Sequence, residues 1–140
     1  MSSYKSHCPD PAKIKAGVKL PLFDSDGGLS SDYLMVRWIW DDKVRAALDN
    51  LSREGKKQLV QVRPDMQAKA RKDAEAKNAE VIDRLTQENF VELVAGWSFD
   101  EKPTQTNLLA FFKARPDVAK RVDAVASNTK LFFMSSGESS

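Results

Sequence analysis

The chain has 140 residues, 41% of them apolar and 30% charged, with a formal net charge of +2. That length suits one domain with a modest core, and near-neutrality removes any demand for nucleic acid or an anionic membrane as partner. A single cysteine, Cys8, excludes a disulfide framework within the chain and fits a reducing compartment.

Residues 1–15 are polar, carry Pro9 and Pro11, and read as a flexible arm ahead of a single domain over 16–134. No hydrophobic signal-peptide core opens the chain, and its apolar runs are a few residues long, against roughly 20 for a bilayer span. The expectation is a soluble, intracellular protein. From Gly17 to Phe23, Val18, Leu20 and Leu22 alternate with Lys19 and Pro21, which predicts a strand. Pro21 lacks a ladder donor and places that strand at an edge. Asp24 to Gly28 is a turn, and Tyr33–Trp40 is a second strand, with Leu34, Val36, Trp38 and Trp40 on one face. A β-hairpin over 16–40 follows, with helices over 41–134.

Asp41 or Asp42 is placed to cap a helix bearing Val44, Ala47, Leu48 and Leu51, with Gly55 ending it. Gln58–Val62 reads either as a short strand or as the approach to the next helix, with Pro64 in that helix's first turn. Residues 66–79 are good helix formers with little to bury. Lys69, Arg71, Lys72 and Lys77 there invite a nucleic-acid reading, but interleaved Asp73, Glu75 and Glu80 and the lack of aromatics favour a solvated helix face. Phe90, Leu93, Val94 and Trp97 recur at helical spacing, so the helix is expected to run on until Gly96 breaks it. After a loop over 98–103, Thr104 or Thr106 opens a helix carrying Leu108, Leu109, Phe111 and Phe112. Pro116 starts a last helix striped by Val118, Val122 and Val125, and 135–140 is expected to be a disordered tail.

A metal site needs several converging ligands, and His7-Cys8 stands without a second pair. The only histidine lies in the arm, so no nucleophilic triad is in view. Asp41-Asp42 and Asp100-Glu101 fall at helix ends or in a loop, where capping and solvation explain them. Gly27-Gly28 follows a strand without opening a helix, so it forms no phosphate loop. The expectation is a protein that is not an enzyme, with no catalytic residue, cofactor or metal. Aromatic density stands out instead: Trp97, Phe99, Phe111, Phe112, Phe132 and Phe133 crowd the C-terminal part. Neighbours on a helix point about 100° apart, so Phe111 and Phe112 do not both face one core. Trp97, Phe99, Leu109, Phe112 and Phe132 are the residues expected to include partner contacts, with core packing the competing role for Trp97 and Leu109.

The order of these features resembles the tail assembly chaperones of long-tailed, siphovirus-type bacteriophages and prophages. The resemblance rests on the hairpin with its Asp26-Gly27-Gly28 turn and on a polar helical middle. It also rests on an apolar helix, Val91 to Ala95, ending in Gly96-Trp97, the Asn107-Leu108-Leu109 helix, and the proline-started final helix at Pro116. It implies a helper that binds the long tape measure protein, keeps it soluble and recruits tail tube subunits. It implies work in the host cytoplasm and absence from the finished virion. An α+β fold and self-association are expected, with neither nucleic acid nor membrane as partner. The alternatives are a small regulatory or DNA-binding protein using the basic helix 64–80, or a minor tail or connector protein.

Overall fold

Alternating burial along Val18–Phe23 produces the first strand (β1) in the computed structural model, which describes residues 3–24 and 26–133. Leu20 and Leu22 turn inward, and Val18, Lys19, Leu20 and Pro21 pair antiparallel with Val36, Met35, Leu34 and Tyr33 of β2 (Leu29–Val36). The turn closes through Gly27 at φ 85° and through Asp26, whose carboxylate accepts from the Gly28 N–H at 3.1 Å. β2 starts and ends four residues earlier than the expected Tyr33–Trp40. The chain leaves the sheet at Arg37, whose N–H donates to Leu93, and Ile39 donates to Ala126. Trp38 and Trp40 therefore part company with Leu34 and Val36. Trp40 is 60% exposed, and Trp38 donates from Nε1 to Thr129 Oγ1 and rests near Phe132.

Helix α1 (Pro11–Ala16) and a 3₁₀ turn at Tyr4–His7 occupy the stretch expected to be a flexible arm. Asp10 caps α1, and its N–H donates to the Phe132 carbonyl at 2.8 Å. Lys13 Nζ donates to the Phe133 carbonyl at 2.6 Å, so the segment is tied to the far end of the domain. The expected tail at 135–140 lies outside the described residues.

Helix α2 (Asp42–Gln58) starts at Asp41 but takes no side-chain cap bond from it. Gly55 sits inside α2 rather than after it, because α3 (Ala68–Glu92) crosses there with Leu85 against the bare Cα. The two helices run antiparallel. Residues 59–62 form neither strand nor helix; the Asn78 side chain instead bonds both the N–H and the C=O of Val60, at 2.7 and 2.8 Å. Pro64 lies in a turn before α3 rather than in its first turn.

The largest departure is at Val94–Trp97, expected as the end of a helix and observed as a third strand, β3, on β2. Val94 pairs with Val36, Gly96 with Met35 and Trp97 with Leu34, leaving Ala95 extra at a bulge. The bulge returns Val94 and Trp97 to the same sheet face although they are three residues apart. A spacing of three thus carries a strand where it imitates a helix.

Helices α4 (Gln105–Ala114) and α5 (Pro116–Ser127) complete an α+β fold, with sheet order β1-β2-β3 and β1 at an edge as Pro21 requires. The core joins Leu20, Leu34 and Val36 of the sheet to Leu108, Phe112, Val118 and Val122 of the helices. Among the described residues no helix is long and apolar enough to cross a membrane.

Candidate functional site

Three aromatic rings meet where β3, the loop after it and α4 come together. Thr104 opens α4 by accepting the Asn107 N–H at 3.2 Å, and Asn107 Nδ2 donates to the Lys102 carbonyl at 2.8 Å. Trp97 Nε1 donates to the Glu101 carbonyl at 2.6 Å. The loop is thereby held at both ends by side chains of the elements it joins. Trp97 and Phe99 lie edge to face at 5.1 Å, Trp97 and Phe111 at 5.9 Å, and Phe99 and Phe111 at 5.6 Å. Edge-to-face rings fix one another's orientation at little entropic expense.

All three rings are half-buried, and with Asn107 and Glu101 they line an open recess of about 390 Å³. Phe111 also touches Phe112, which meets Phe90 in the core, so the recess floor continues into the packed interior. The rim carries Glu101, with Asp100 beside it, both exposed. Such a recess suits an apolar side chain that arrives with a polar or basic flank.

Of the five residues expected at a contact surface, Trp97 and Phe99 line the recess. Leu109 is half-buried on α4 and is not among the lining residues. Phe112 and Phe132 are corrected to core positions, each with 0% exposure. Phe112 follows Leu108 by one helical turn and shares its inward face. Phe111 lies about 100° away, in phase with Asn107. Helical phase requires one of Phe111 and Phe112 to face outward, and it is Phe111 rather than the expected Phe112; polar Asn107 one turn earlier was the available signal. Phe132 ends the turn Thr129–Phe132, buried with the Trp38 ring 6.3 Å away, and its carbonyl accepts the Asp10 N–H of the N-terminal segment.

Elsewhere, Lys69, Arg71, Lys72 and Lys77 are all exposed on α3, as are Asp73, Glu75 and Glu80 between them. No group of three or more His, Cys, Asp or Glu that could hold a metal occurs among the described residues. Arg115 binds Asp117 through two hydrogen bonds, at 2.9 and 2.8 Å, and holds that carboxyl down at about 2. The pair is exposed at the start of α5 and acts there as a local clamp. Comparison with protein families, with curated proteins and with solved structures finds no match to this chain.

Proposed function

We propose that this chain is a non-catalytic assembly chaperone of the phage-tail kind, which holds apolar segments of a tape measure protein in solution and recruits tail tube subunits to it. It would work in the host cytoplasm and leave before the virion is complete. Neither nucleic acid, membrane nor cofactor enters this reading.

The observation that carries it is the recess formed by Trp97, Phe99 and Phe111. Two of its lining residues lie in motifs that carry the sequence resemblance, Trp97 in Gly96-Trp97 and Asn107 in Asn107-Leu108-Leu109. A holding protein needs moderate affinity so that its client can later be released. Burying one large apolar side chain contributes about 1.5–3 kcal/mol. One or two such anchors, set against the loss of translational freedom on association, give weak and reversible binding. Self-association belongs to the same reading: the sheet face opposite the core leaves Phe23 and Leu29 exposed beside half-buried Tyr33 and Met35.

Co-expression with a tape measure fragment tests the proposal. The intact chain is expected to keep the fragment in the soluble fraction, and Phe99→Ser to lose that effect while remaining folded. A fragment that precipitates equally with and without the intact chain would contradict it.

A further inference from the structure

We infer that the cleft between α1 and the start of α2 is a second docking site, which takes a partner peptide segment bearing both acidic and apolar side chains. The cleft holds about 540 Å³, more than the aromatic recess, and falls within the roughly 300–1,000 Å³ range of ligand-holding clefts. It shares no lining residue with the recess and does not depend on that site's role.

Pro9, Pro11 and Ile14 supply most of its apolar lining, and Val44, a core residue, reaches it with little exposed surface. The prolines have fixed φ, so one wall is set before anything binds. Three cations, Lys15, Arg37 and Lys43, line it against one carboxylate, Asp41, so its lining is net positive. Their charges are uncommitted: none of the ion pairs among the described residues uses any of the three. Arg37 is half-buried and gives one N–H to the Glu92 carbonyl at 3.3 Å, which steadies a guanidinium with further donors to offer. A carboxylate entering here meets charge-assisted donors beside low-dielectric walls. Free inorganic anions would leave the apolar walls wet, and a bilayer surface does not enter a concave cleft. A peptide alternating acidic with apolar side chains matches both features.

Fluorescence anisotropy on the full chain tests this, using a labelled octapeptide of alternating leucine and glutamate. Binding is expected, weakening with added salt. Lys43→Glu is expected to lower affinity about tenfold or more, while Lys120→Glu, an equal charge change on the exposed side of α5, leaves it nearly unchanged. Glutamate at the start of α2 suits the helix N-terminus, so the Lys43 variant keeps its fold. Phe99→Ser is expected to bind the octapeptide normally, which separates this site from the recess. No binding, equal loss in both lysine variants, equal binding of a leucine–lysine octapeptide, or displacement by millimolar phosphate would each overturn the assignment.

Discussion

Gly17 holds φ at +84°, and a Cβ there would stand 2.8 Å from the Val36 carbonyl oxygen. Gly96 is the opposite case, since a Cβ there would meet nothing within 4 Å. Gly17→Ala is therefore expected to destabilise the domain by about 1–3 kcal/mol in urea unfolding, and Gly96→Ala by less than about 0.5 kcal/mol. Equal losses would show that Gly96 matters for a backbone reason that its open surroundings do not supply. Asp117 gives a second check at this scale. Its carboxyl is held at about 2 by the Arg115 hydrogen bonds, below the ordinary 3.8. Any stabilisation from the pair is thus complete above pH 3.8 and disappears as pH falls toward 2. An NMR titration of Asp117 is expected to show that low midpoint, and Arg115→Gln to return it toward 3.8. Single residues are legible in the sequence where one property decides, as with Pro21 at the edge and Pro116 at a helix start. They mislead where phase decides, as with Phe111 and Phe112.

At the level of elements, the α2–α3 pair turns on Gly55. A Cβ there would fall within 2.9 Å of three Leu85 side-chain carbons, so Gly55→Ala forces the helices apart or Leu85 into another rotamer. Alanine's higher helix propensity offsets part of the packing cost, so the expected net loss is about 1 kcal/mol or less, and Leu85→Ala in the same chain should turn it into a gain. A double-mutant cycle by thermal and urea unfolding measures this; strict additivity would contradict the contact. Sequence alone favours ending a helix at glycine, and only the crossing of a distant helix shows why this one sits mid-helix. The same limit applies to β3. Val94 and Trp97 have helical spacing, and nothing local reveals that β2 offers them a bulged ladder. The hairpin was readable because its alternation and turn are both local; the third strand is non-local and was not.

For the whole molecule, the α+β architecture follows from a hairpin whose inward face needs covering and from helices whose apolar stripes supply the cover. What remains uncovered defines the functional reading. The recess of Trp97, Phe99 and Phe111 lies where three elements converge, and no single element's periodicity marks it. Aromatic density in the sequence takes in Phe111, but the contact residues expected from it keep Trp97 and Phe99, leave Phe111 out, and put on the surface two phenylalanines that the core requires. The most direct test of the proposed client site is hydrogen exchange on the chain alone and with a soluble tape measure fragment. Protection is predicted over residues 97–111, which span β3's end, the loop and most of α4. Protection confined to the exposed basic stretch of α3, or no change anywhere, would contradict the account.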